Sequence, residues 1–306
     1  MDMGASRRGA VEPEPKRRRG KKRARSGSAR KPSASGESSF GGGNPGFTWK
    51  PQEASTGASG AHFSADRPIA ITVSDDPTFD KRTLYISERD GKDHIQLPPH
   101  VQFNLLPPPD PKVREVLSVA GAAGAGKSFV SKEYARRYKK QWGKKRDVFV
   151  VSALKSDTTL DELKFLQRID VASLVEDPIT DAIGAFEDSL VIFDDIEALV
   201  GAERRAVNEL LEALLTLGRH SRTSVIVASH LPARGKETRL LLSESSRFVL
   251  FPHALGHNSL SYLCRAHVGL TPQQIQEIRG IHSRWICLSK QYPQYSLTGS
   301  DAKLLT

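Results

Sequence analysis

The sequence predicts an α/β fold, a mainly parallel sheet with helices on both faces. Five short apolar runs carry that reading: VLSVA, VFVVSA, SLVIFDD, SVIVASH and RFVLF. None alternates polar with apolar residues, as expected of strands covered on both sides. Segments with helical spacing lie between them, and the first run leads into a glycine-rich turn and then a helix.

Charge divides the chain before any motif does. The 306 residues hold 45 Lys/Arg and 35 Asp/Glu, a net charge of +10. Residues 1–32 contain twelve basic and three acidic side chains, net +9, so the remainder holds 33 and 32, net +1. Residues 1–65 are Gly, Ser, Ala, Pro, Lys and Arg with few large apolar groups, and so predict a disordered basic tail. Its KRRRGKKRAR run, from Lys16 through Arg25, suits a nuclear import signal or loose contact with a phosphate backbone, or merely solubilises the chain. Two cysteines argue for a reducing compartment and against a disulfide framework. The absence of an apolar run of ~20 residues argues against a membrane partner.

From residue 66, PIAITV and RTLYISERDGKDHIQLP read as short strands, the second broken by Asp90-Gly91, a hairpin turn signal. LLPPPDP at 105–111 is a stiff connector. Residues 66–111 thus form a small β preface and linker, and 112–306 the main domain. There, strands at 116–120 and 148–153 flank a basic helix at 127–141. TLDELKFLQR predicts a helix opened by Thr158 or Thr159, and SLVIFDD another strand. A long helix at 198–217 places Leu199, Val207, Leu210, Leu211, Leu214 and Leu217 at helical spacing and closes at Gly218. SVIVASH and RFVLF are strands. NSLSYLCRAHVGL is an amphipathic helix capped by Asn258. TPQQIQEI combines Thr271 as N-cap, Pro272 and Gln274 in a capping box. RWICLSK and QYSLTG form a terminal hairpin around Tyr292-Pro293.

Gly121, Ala122, Ala123, Gly124, Ala125, Gly126, Lys127 and Ser128 match the nucleotide-binding P-loop in full, between a buried strand and a helix. The glycines turn backbone N–H groups toward phosphates, and the helix N-terminus adds positive potential. Lys127 suits the β and γ phosphates of ATP, and the Ser128 hydroxyl suits Mg²⁺. Asp194 ends an apolar strand, where it can hold Mg²⁺. Asp195 is the expected general base for an attacking water, or else a helix N-cap; Glu197 is the second candidate. Ser229 and His230 end the next strand, facing the γ phosphate.

GRH followed by SVIVASHLPA resembles the HerA/FtsK-type DNA-pumping ATPases, which include genome-packaging ATPases of large eukaryotic DNA viruses. The resemblance spans about residues 115–252. It implies a P-loop NTPase fold and a homo-oligomeric ring on double-stranded DNA. Arg219 then matches the arginine that reaches a neighbouring subunit's nucleotide, with Arg222 close by; a cation at a helix C-terminus is its plainer role. The family usually ends the sensor strand in Gln, where this chain has Ser229-His230.

His253, His257, Cys264 and His267 approach zinc-ligand spacing, yet lie in the amphipathic helical region. Phe47, Trp49 and Phe63 in the tail suit base stacking or docking on the protein. ARGKETR at 233–239 projects at the nucleotide face, suited to DNA or a neighbouring subunit. These features favour an ATP-hydrolysing DNA motor of the packaging type, in the nucleus or, for a viral protein, a virus factory or virion. The alternatives are a non-motor nucleotide switch or scaffold recruited through the tail, and a P-loop kinase. The paired acids and the lack of an Arg-rich lid argue against the kinase.

Overall fold

The computed structural model describes residues 44–50, 66–89, 91–230, 233 and 235–305. The basic run at 16–25, Phe63 and most of 231–234 lie outside the described residues. Along the chain run β1 (Gly46–Lys50), β2 (Arg67–Val73), β3 (Thr83–Ser87), β4 (His94–Gln96), β5 (Gln102–Leu105) and β6 (Val116–Ala120). Next come α1 (Lys127–Trp142), β7 (Val148–Ser152), β8 (Leu166–Ile169), α2 (Val171–Glu176), α3 (Ala182–Ala185) and β9 (Leu190–Asp194). The chain continues through α4 (Gly201–Leu217), β10 (Ser224–Ser229), α5 (Lys236–Glu244), β11 (Arg247–Leu250), α6 (His257–Leu263) and α7 (Pro272–Arg279). It ends in β12 (Ile286–Ser289), β13 (Tyr295–Thr298) and β14 (Asp301–Leu304).

Ten strands form one sheet in the order β4-β14-β13-β12-β11-β6-β10-β9-β7-β8. From β11 to β8 all neighbours are parallel. From β11 back to β4 they are antiparallel. The phosphate-loop strand β6 and the acidic strand β9 are thus separated by β10. Leu190 and Ile192 of β9 pack with Tyr134, Ala135 and Tyr138 of α1, while Val191 and Phe193 pack with Val207 and Leu214 of α4. Both faces are dry, which is why these strands carry no polar alternation. A smaller sheet, β1-β3-β2-β5, is antiparallel throughout.

Several expectations change. β1 lies inside the segment assigned to the tail: Phe47 is buried and Trp49 stacks on Phe103, with Arg82 5.1 Å over its ring. The aromatics at 47 and 49 therefore anchor a strand. No hairpin joins β3 to β4; they belong to different sheets, and β4 pairs with β14 at the edge of the large one. Gly91 instead meets Gly46 so closely that a Cβ on either would stand 2.1–2.3 Å from backbone. TLDELKFLQR is a single 3-10 turn, Leu160–Glu162, followed by β8. Asp157 accepts from the Thr159 and Leu160 amides, and ladder bonds to β7 capture Leu166–Ile169. The helix expected from 198 starts at Gly201, after a 3-10 turn Ile196–Ala198. Gly256, not Asn258, caps α6. The capping box at Thr271 and the β12–β13 hairpin appear as expected, with a further strand, β14, beyond.

One buried polar cluster ties these layers together. Glu115, just before β6, accepts both Nε and Nη2 of Arg247 at the start of β11, and the Tyr134 hydroxyl of α1. Arg247 also donates to the Leu106 carbonyl of the connector at 2.9 Å. Both charged side chains are over nine-tenths buried. Removing one partner leaves a buried charge alone, at a cost of about 3–5 kcal/mol. Arg247→Met should therefore lower the denaturant midpoint sharply, while Glu115→Leu/Arg247→Met should lose much less. Equal loss in the single and double variants would contradict a coupled pair.

Candidate functional site

β6 ends in a buried Ala120, and α1 begins at Lys127. Between them the backbone turns through positive φ at Gly124 (72°) and Gly126 (115°), which side chains resist. Gly121 is required for space: a Cβ there would lie 2.8 Å from the Phe251 ring. The Gly121 amide donates to Ser229 and the Ala122 amide to Ala254, suspending the loop between the ends of β10 and β11. Helix α1 has 16 residues and no acid in its first turn, so its N-terminal potential stays positive.

Asp194 continues the side of β9 that faces α1. Ser128 Oγ lies 3.5 Å from its Oδ2, while its buried Oδ1 has no partner among the described residues. Burial first, then the charges of Asp195 and Asp157, push its carboxyl up to about 6 against the pull of Lys127 and Ser128. A hydroxyl beside a buried, half-satisfied carboxylate is a donor set that fits a hard cation such as Mg²⁺.

Asp195 stands in the left-handed region at φ 52°. Its side chain does not cap the following 3-10 turn; Oδ1 lies 2.7 Å from His230 Nε2, off the line of a hydrogen bond. His230 Nδ1 is 3.1 Å from Lys127 Nζ. An ammonium only donates, so Nδ1 accepts and the ring proton sits on Nε2, toward Asp195. The His230 amide donates to Glu197 Oε1 at 3.0 Å, and Glu197 Oε2 is buried without a partner among the described residues. Lys127, Ser128, Asp194, Asp195, Glu197 and His230 thus meet at the C-terminal edge of the parallel strands, where α/β sheets bind ligands.

Two candidates stand elsewhere. Ser229 shares the side of Val225 and Val227, which pack toward α4, and it lines a cavity between α4 and α5. His230, one residue on, turns to the phosphate loop. Arg219 follows α4 and precedes β10, at the N-terminal edge of the sheet. The six residues of β10 put that edge ~20 Å from its own phosphate loop. Arg219 is exposed and makes no ion pair among the described residues. Arg114 takes the role of helix-end cation, donating to the Leu214 and Leu215 carbonyls at 2.6 and 2.7 Å. Gly218 leaves space for it, since a Cβ there would lie 2.8 Å from Arg114 Nη1. Arg222, at φ 56°, is held by Asp188 and Glu187. His253 bonds the Ile281 carbonyl, Cys264 is buried with its thiol pushed up to about 12, and His267 packs on Tyr262.

Lys127→Ala should weaken ATP binding and hydrolysis together. Asp195→Asn should keep ATP affinity and lose about 10²–10⁴ in turnover, the usual contribution of a general base. Glu197→Gln hydrolysing far more slowly than Asp195→Asn would make Glu197, and not Asp195, the proton acceptor.

A protein-family model described as an AAA domain of the dynein-related subfamily matches residues 117–242. Uncharacterized protein V3 of the Sputnik virophage is 33% identical over 232 residues, covering 74% of this chain and 91% of V3. Among solved structures, the genome packaging NTPase B204 of Sulfolobus turreted icosahedral virus 2 with ATP-gammaS is 12% identical with a TM-score of 0.43. That match covers 64% of this chain and all of B204. The pCW3 conjugation coupling protein TcpA with ATPgS is 11% identical with a TM-score of 0.46, covering 75% of this chain and 76% of TcpA. With its complete phosphate loop, acidic strand and parallel sheet, the chain belongs to one family of P-loop ATPases with the virophage protein V3.

Proposed function

We propose that this ATPase is a ring-forming motor that moves double-stranded DNA, of the genome-packaging type. The placement of Arg219 carries the proposal. It is an exposed arginine, relieved of the helix-end role by Arg114, and far from the phosphate loop of its own subunit. Its Gly-Arg context ahead of the SVIVASH strand is the one that resembles DNA-pumping ATPases. In a ring it would serve the neighbouring site.

Within one subunit, Lys127 would bind the β and γ phosphates, and Ser128 with Asp194 would hold Mg²⁺, whose charge offsets that of the phosphates. Asp195 would orient the attacking water and take its proton. Arrival of a γ phosphate would draw Lys127 from His230 Nδ1, so His230 would report the nucleotide to Asp195 and, through its backbone amide, to Glu197. The 16–25 run would direct the protein to the nucleus, or to a virus factory for a viral member, as the virophage relative suggests.

Specific activity should rise steeply with protein concentration and with duplex DNA. Arg219→Ala should remove that rise with ATP affinity nearly unchanged, since arginines acting across an interface contribute about 10³–10⁵ in rate. Mixing Arg219→Ala with Asp195→Asn subunits should recover part of the activity. A monomer in sedimentation with ATP and DNA present, at constant specific activity over a hundredfold dilution, would refute the ring. Deleting residues 1–40 should abolish nuclear accumulation and leave basal hydrolysis within a few fold; equal nuclear levels would assign the run another role.

A further inference from the structure

The groups suited to the γ phosphate and Mg²⁺ all lie on one side of the phosphate loop, toward β10 and β9. On its other side stand β11 and the turn that follows, Phe251 to Gly256, and then the loop between α7 and β12. These two segments form one wall. His253 Nε2 lies 2.7 Å from the Ile281 carbonyl, joining turn to loop. Within the loop, Ser283 Oγ donates to the Trp285 carbonyl and receives the Gly299 amide. The wall also grips the phosphate loop: the Ala122 amide donates to Ala254, and the Phe251 ring lies 3.4 Å from the Cβ position of Gly126. At its tip, Arg284 Nη2 donates to the Ala125 carbonyl at 3.2 Å and stands 3.9 Å from that same Cβ position.

A triphosphate whose γ end is held at Lys127 and Ser128 and crosses the loop over β6 must send its nucleoside end toward β11. We infer that the turn after β11 and the 281–285 loop form the nucleoside side of the binding site, with Arg284 contacting the ribose. The inference rests on the reading of residues 121–128 as the phosphate loop. Among the described residues only one amino group of Arg284 is committed, to Ala125; its remaining N–H donors suit the hydroxyl oxygens of a ribose. A guanidinium anchored to the loop backbone is already oriented, so little freedom is lost when it binds. The wall continues into β12–β14, which gives the C-terminal hairpin a part in the site.

Calorimetric titration of the full chain with ATPγS, ADP and inorganic tripolyphosphate, each with Mg²⁺, tests this. Tripolyphosphate carries the phosphate groups but no nucleoside. Arg284→Ala should weaken ATPγS and ADP about tenfold and leave tripolyphosphate within about twofold. Arg284→Lys should recover part of the loss. Equal weakening of all three ligands would make Arg284 a brace of the loop and overturn the inference, as would no change in any. Wild-type protein that binds none of the three, with Lys127→Ala indistinguishable from it, would refute the phosphate loop itself.

Discussion

Glu115 and its buried partners are the constraint on which the rest of the molecule depends. The carboxylate sits where the stiff connector ends and β6 begins, and it receives Arg247 from β11 and Tyr134 from α1. Burial, and then the charge of Glu115, holds the Tyr134 hydroxyl protonated and so able to donate. Strand β6, strand β11 and helix α1 are therefore fixed together at the lower edge of the sheet. The phosphate loop joins two of these elements at the upper edge, so its position is set by a cluster at the far end of the same strand. Arg247 reaches the Leu106 carbonyl as well, which locks the connector of the small sheet into the same group.

At the upper edge the same economy of connections appears. His230 touches Lys127 through one ring nitrogen and approaches Asp195 with the other, while its amide holds Glu197. One residue thereby links Lys127 of the phosphate loop to the two carboxylates that follow Asp194. Asp195 occupies a backbone conformation that costs about 1–3 kcal/mol for a residue other than glycine, and such strain concentrates at functional positions. Asp194 keeps one oxygen buried and without a partner among the described residues, a state that a bound cation would relieve.

The phosphate loop was legible because its chemistry is local: the glycines, Lys127 and Ser128 lie in eight consecutive residues, and the strand and helix around them announce themselves. The acidic strand was legible for the same reason. The choice between Ser229 and His230 was not, because a strand buried on both faces offers no alternation from which to read which side each residue takes. Arg284 carried no signal at all; 156 residues separate it from Lys127, and only the return of the chain through α7 to β12 brings it to the loop.

By itself, then, the sequence determined the α/β class, the phosphate loop, the acidic strand, the long helix before Arg219 and the capping box at Thr271. These follow from short-range effects: backbone freedom at glycine, helical spacing, and side-chain caps within a few residues. Tertiary structure decided the rest. It replaced the helix expected of TLDELKFLQR with a 3-10 turn and the edge strand β8, because ladder bonds to β7 outweigh a weak local preference. It drew Phe47 and Trp49 out of a glycine-rich stretch into a sheet, where their burial offsets the cost of ordering the backbone. It also separated β3 from β4, since β14 offers β4 a partner that no neighbouring residue in the chain could reveal.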